Sequence, residues 1–346
     1  MSHAGRILGL ALVLLACCTQ PGAAQSKLQE VKFVYPAPSS TSWPLWAAKE
    51  GGYFAKHGLD AKVEFAMHPA GPAAVVAGEA LGHNLGLDTA ILAAMKGDQI
   101  IIVASPLHIG QFVLLGAKDI SDARALAGKR IAVGRIGDPP YYYALGLLNA
   151  LKVETKGINW IGAGAPPQRA LALKNGMADA AMLTPPDYYQ LADEGFKVLG
   201  NLADHRQIPV VTSYMVRRKA ARETPQLVEA MLKAHVEAVN RLYQDKPFAI
   251  DLLKRYLKVD EATATRLWVE STTSRIWEKV PYVPAAALHG VVERGKADTP
   301  ELATFDFRKV IDQSFIDRLA DQGFFEQVFG ASIKEEVAER RASAFR

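Results

Sequence analysis

The sequence predicts an α/β protein of two lobes, each a mainly parallel sheet flanked by helices, joined by a two-strand hinge. Three observations carry this. Strand-like and helix-like segments alternate from Val31 to about Val216, the pattern of parallel sheets. The first such unit, strand Val31–Tyr35, a helix and strand Ala61–Phe65, closes within about 30 residues, the size of a βαβ unit. A second series of the same kind starts at Phe112-Val-Leu-Leu115.

In the first unit the helix begins near Trp43-Pro44, since proline suits a first helical turn. It ends at Gly51-Gly52, where a left-handed residue needs no Cβ. Tyr53 to Gly58 is a short further turn. Met67 to Pro72 is a loop and Ala73 to Gly78 a helix of small residues. Leu85-Gly86-Leu87 is a short strand, and Ala90 to Lys96 a helix stopped by Gly97. Ile100 to Ala104 is β-branched and reads as a fully buried strand.

The second lobe continues with a short helix, Ile120 to Leu126, and the strand Arg130–Val133. The loop Gly134 to Tyr141 leads to a helix from Tyr142 to Leu151. Strand Ile158–Ile161, loop Gly162 to Pro167 and helix Gln168 to Asn175 follow, then strand Ala180–Leu183, loop Thr184 to Asp187 and strand Lys197–Leu199. Val210 to Val216 returns the chain to the first lobe. The crossings fall near Leu107–Val113 and His205–Tyr214, giving lobes of 28–110 with 213–346, and of 111–212. From Thr224 the tail is mostly helical. Thr224-Pro225 is an N-cap followed by proline, and Leu227, Met231, Ala234, Ala238 and Leu242 form an apolar stripe.

Residues 1–24 read as an export signal. Arg6 supplies the charge, and Ile7 to Ala16 is apolar but too short to span a membrane. Gly22-Ala23-Ala24 suits cleavage before Gln25, which leads to a periplasmic protein; Leu14-Leu15-Ala16-Cys17 offers the alternative of a lipid anchor at Cys17. The only two cysteines, Cys17 and Cys18, lie in this leader. Cleavage after Ala24 leaves no thiol for a disulfide, a metal or a nucleophile. A hydrophobic share of 49% provides a large core, and a net charge of +4 from scattered Lys and Arg does not suit nucleic acid.

Lys49-Glu50-Gly51-Gly52-Tyr53-Phe54, then Gly58-Leu59, Gly78-Glu79, Ala178-Asp179-Ala180-Ala181 and Gly323-Phe324-Phe325, occur in order along the chain. This set resembles the periplasmic substrate-binding proteins of ABC importers, in the nitrate/sulfonate/taurine-binding branch. The resemblance implies a type II periplasmic-binding-protein fold and a small-molecule ligand. It also implies a permease with its ATPase as partners, and no cofactor. A monomer is expected.

Parallel sheets bind ligands at the C-terminal edges of their strands, which selects the candidate site. Ser39, Ser40 and Thr41 follow the first strand and Trp43 opens the helix; they either cap the helix or meet the ligand. Asp88 and Thr89 follow the third strand. Asp88 either caps a helix or, facing the ligand, opposes an anion. His68 and His108 also follow strands; without an HxxxH or HExxH pattern no metal is expected.

In the second lobe, relatives resembling this chain carry a Gly/Ser-rich loop where it has Arg135, Gly137, Asp138, Pro139 and Pro140. Proline has no N–H, which weakens an amide cradle for an anion. Tyr141, Tyr142 and Tyr143 offer rings and hydroxyls, or pack in the core. Arg135 either pairs a ligand carboxylate or sulfonate or points elsewhere, and Arg169 is expected on a helix surface. Gly164 sits in a tight turn that lacks the third glycine and downstream acid of a dinucleotide site. Thr184 and Asp187 end the list of candidates.

The function these features suggest is capture of a sulfonate, carboxylate or aromatic or pyrimidine-type compound between two lobes, without catalysis. Pyrimidine-precursor synthase-like and desulfinase-like enzymes share the scaffold but lean on cysteine motifs that this chain has only in its leader. A ligand-sensing partner of a receptor is the third alternative.

Overall fold

The computed structural model describes residues 27–66, 69–205 and 211–346. The expected leader with Cys17, as well as His68 and Val210, lies outside them. Among the described residues ten strands occur, in chain order β1 (Gln29–Tyr35), β2 (Leu59–Phe65), β3 (Gly82–Gly86), β4 (Ile100–Ala104), β5 (Val113–Gly116), β6 (Arg130–Val133), β7 (Asn159–Gly162), β8 (Ala180–Leu183), β9 (Lys197–Asn201) and β10 (Thr212–Arg217).

They form two five-stranded sheets, ordered β2-β1-β3-β10-β4 and β7-β6-β8-β5-β9. β1 is parallel to β2 and β3, and β6 to β7 and β8. β10 is antiparallel to both its neighbours, and so is β5. Each sheet is therefore mixed, with four strands in one direction and one against. The reversed strand is in each case the first after a crossing. A chain arriving from the other lobe enters at the cleft end of the sheet and must run away from it.

The crossing segments hydrogen-bond side by side. The Thr212 amide donates to the Leu107 carbonyl at 3.0 Å, and the Ser105 hydroxyl donates to the Thr212 carbonyl at 2.7 Å. This is the two-stranded hinge.

Helix starts follow local chemistry. Trp43–Glu50 carries proline in its first turn, and Gly52 takes the left-handed conformation at φ 73°. Two helices of the second lobe begin earlier than expected, as Pro139–Ala150 and Pro166–Lys174. Each opens on Pro-Pro, because the first turn has no intrahelical use for the missing N–H groups. Pro225–Gln244 buries Met231, Ala234, Ala238 and Leu242, with Leu227 half-buried at its edge. That face packs on Trp43–Glu50. Trp46 stacks on Tyr256 at 4.6 Å, and Trp43 meets Trp277 at 5.3 Å. Each such buried ring contributes about 2–3 kcal/mol. Among the described residues no helix is long and apolar enough to cross a membrane.

Candidate functional site

A cavity of about 370 Å³ lies between the sheets. Its walls come from the C-terminal ends of parallel strands: Pro36 to Thr41 after β1, Leu85 and Gly86 at the end of β3, Gly134 to Pro140 after β6, Gly162 to Arg169 after β7, and Thr184 after β8. The two reversed strands enter at the same place, with Phe112 just before β5 and Thr212 at the start of β10. A molecule held here touches both lobes and both crossing segments.

The lining is mostly apolar. Pro36, Phe112, Pro139, Pro140 and Tyr143 give broad, rigid faces, and the Phe112 and Tyr143 rings are 5.1 Å apart. The helices that point at the cavity from the second lobe begin Pro139-Pro140 and Pro166-Pro167, so the N–H groups that would face an anion are absent.

Against this apolar wall stand three unsatisfied polar groups. Arg169 is only 2% exposed, forms no ion pair among the described residues, and its Nε and Nη1 have no hydrogen-bond partner. The Thr184 and Thr212 hydroxyls are also buried without partners. Burial pulls the Arg169 guanidinium down to about 10, with Asp187 and Asp138 opposing the fall. It stays charged at neutral pH. A buried guanidinium without a partner costs free energy that a bound acceptor would recover.

Burial pushes the Asp187 carboxyl up to about 6, against the attraction of Arg169. Between its ordinary value of 3.8 and about 6 the folded chain holds a proton that the unfolded chain has released. Stability from this group therefore falls as pH rises through that window and is level above it. We expect Asp187→Asn to remove that part of the decline, which thermal melts of ligand-free protein between pH 4 and 7 would detect as a flatter profile.

Seven of the expected residues line the cavity: Ser39, Thr41, Arg135, Asp138, Tyr143, Gly164 and Thr184. Arg135 pairs with Asp138 at 3.2 Å, and the Ser39 and Thr41 hydroxyls bond each other at 3.0 Å. The structure directs the others elsewhere. Trp43 is buried against Trp277, whose indole N–H donates to the Ser40 carbonyl at 2.9 Å; both Trp43 and Ser40 serve the core. Asp88 does not present a carboxylate to a ligand, because Arg294 takes both its oxygens at 3.0 and 3.1 Å. Thr89 is on the same helix, outside the lining. His108 is held by Glu278 and the Tyr282 carbonyl, each at 3.1 Å. Tyr141 packs edge-on against Trp160. Gly137 supplies a positive φ of 86° to the loop rather than a cavity wall. Asp187 acts on the cavity only through Arg169. His68 lies outside the described residues.

Tyr142 has a different role. Its hydroxyl donates to Asp298 across the cleft at 3.3 Å, and burial with Asp298 nearby pushes it up to about 12. A second bridge joins the Tyr188 and Tyr189 hydroxyls to Glu270, with Arg266 lying 3.7 Å over the Tyr189 ring. Gly86 and Pro139 also approach so closely that a Cβ on Gly86 would sit 2.6 Å from Pro139 Cγ. The lobes are thus in contact around the cavity.

Arg169 is the main residue that sequence reasoning misplaced. The signal was present. Pro166, Arg169, Ala172 and Leu173 share one buried helical face, so the 3.6 periodicity puts the arginine inward. Phe112 and Thr212 are absent from the expected site, yet both fall within the expected crossings, Leu107–Val113 and His205–Tyr214, which must border the cleft.

The chain resembles several solved structures over most of its length. The periplasmic nitrate-binding protein NrtA from Synechocystis PCC 6803 superposes with a TM-score of 0.71 at 16% identity, covering 86% of this chain and 89% of that one. The periplasmic aliphatic sulphonate binding protein SsuA from Escherichia coli gives 0.63 at 19% identity, covering 82% and 92%. The desulfurization enzyme DSZB gives 0.63 at 15%, covering 85% and 99%. These likenesses show the type II periplasmic-binding-protein fold. No curated protein matches the chain. Residues 39–247 match the family described as NMT1/THI5 like. That match covers more than half of the sequence, and the chain belongs to the NMT1/THI5 like family.

Proposed function

We propose that this protein is the extracytoplasmic solute-binding component of an ABC importer. It captures a small organic molecule by closure of two lobes, 28–110 with 213–346 and 111–212, and delivers it to a permease powered by an ATPase. The observation that carries this reading is the apolar cavity between the sheets, with Arg169, Thr184 and Thr212 buried in its wall and unpartnered. Groups left unsatisfied in the protein alone are satisfied by a ligand. A ligand that touches both lobes stabilises only the arrangement in which they meet. Secretion to the periplasm through the leader, or retention by a lipid at Cys17, fits the same role, as does a monomer.

The likeness to a desulfurization enzyme favours a second reading, catalysis on the same scaffold. The cavity wall argues against it. Among the described residues it contains no histidine and no cysteine, and the chain's two cysteines are Cys17 and Cys18. Native mass spectrometry of the protein as purified, followed by a thermal-shift screen of sulfonates, nitrate, carboxylates, pyrimidines and amines, tests the proposal. A bound mass or a saturating rise in Tm supports solute capture. Turnover of a bound compound would favour the enzyme, and silence across the panel would sink solute capture.

A further inference from the structure

We infer that the ligand is a carboxylate with a flat apolar body, its charged end seated on Arg169 in the wall that also holds Thr184 and Thr212; this rests on the solute-capture reading above. The argument begins with charge. Arg169 is the buried cation of the cavity and holds no carboxylate of its own. Arg135, the other cation of the wall, is already paired with Asp138. An anionic ligand end fills the first position.

The number of donors then separates anions. With Pro139-Pro140 and Pro166-Pro167 at their starts, the two second-lobe helices that reach the cavity lack the first-turn amides that would cradle a tetrahedral or trigonal oxyanion. The wall's buried side chains without a partner are one guanidinium and two hydroxyls, those of Arg169, Thr184 and Thr212, since Ser39 and Thr41 bond each other and Arg135 is paired with Asp138. A carboxylate has two oxygens, matching a guanidinium fork with hydroxyls beside it. The third oxygen of a sulfonate or a nitrate would find no further buried, unpartnered side-chain donor in the wall.

Size and shape define the remainder. A volume of about 370 Å³ lies in the range of pockets that hold drug-sized molecules, far more than nitrate fills. Phe112, Tyr143, Pro139 and Pro140 line this space with flat faces. An aromatic or similarly flat acid satisfies both ends of the cavity.

The test is calorimetric titration of the full chain with benzoate, cinnamate, benzenesulfonate, benzamide and nitrate, beside native mass spectrometry. Benzoate or cinnamate should bind saturably, with benzenesulfonate, benzamide and nitrate at least about tenfold weaker. Arg169→Met should lose about 100-fold in carboxylate affinity, as when one partner of a buried charge pair is removed, with an unchanged or higher Tm. Thr184→Val and Thr212→Val should each lose about fivefold, and they carry the test where Arg169→Met does not fold. Tighter binding of the sulfonate, nitrate or amide, or full affinity in these variants, overturns the carboxylate assignment and leaves solute capture standing. No binding by any probe and no co-purified mass overturns both.

Discussion

Gly86→Ala is expected to weaken ligand binding by at least about tenfold while leaving the ligand-free protein as stable as before. The backbone at Gly86 has φ −57° and ψ 138°, a conformation open to any residue. Alanine there reduces the freedom of the unfolded chain, so ligand-free stability should hold or rise by about 0.5 kcal/mol. The obstacle arises only across the cleft. The new Cβ would lie 2.6 Å from Pro139 Cγ and 3.2 Å from its Cβ, and a proline ring at a helix start cannot turn aside. The variant would therefore keep its lobes apart. Titration of the bound ligand, with small-angle scattering to follow compaction, gives the readout. Full affinity with normal compaction would show that Pro139 and Gly86 need not meet for binding.

The second large effect is structural. Arg294→Met should destabilise the fold by about 3–5 kcal/mol, the cost of leaving one charge of a buried pair without its partner. Asp88 is 3% exposed, and both its oxygens are held by Arg294. Arg294 also lies 5.9 Å from the Tyr143 ring centroid, so its loss loosens a wall of the cavity. Adding Asp88→Leu should recover much of the loss, since the double variant removes the stranded charge as well. Urea denaturation of the single and double variants measures both. A double variant no better than Arg294→Met would mean that packing, not charge, dominates.

The strands were legible because alternation and β-branched runs such as Ile100–Ala104 depend on local sequence. The parallel pairing followed from the βαβ spacing of Val31–Tyr35 and Ala61–Phe65. The loops at the cleft were legible for the same reason, and seven of the expected residues line it. Side-chain direction was less so. Trp43 and Asp88 occupy positions suited to a ligand, yet their partners, Trp277 and Arg294, come from the C-terminal part of the chain, more than 200 residues away. No local pattern announces such a pairing. The three tyrosines divide by helical angle: Tyr143 faces the cavity, Tyr142 the opposite lobe and Tyr141 the ring of Trp160. Arg169 is expected on a helix surface, although its spacing to Ala172 and Leu173 indicates burial.

The strand order of the first sheet also governs how the chain is made. β4 has no neighbour in that sheet other than β10, which separates it from β3. During synthesis from the N-terminus, β1, β2 and β3 can pair as they emerge. β4 must wait until residues 212–217 follow, after every strand of the second sheet has appeared. Closing so long a loop is slow and leaves the edge of β3 unpaired in the interval. The second sheet needs nothing from outside residues 113–201 and can form first. A chain truncated before Thr212 would thus carry one completed sheet and one open edge, the state in which a nascent chain is most exposed to pairing with another copy.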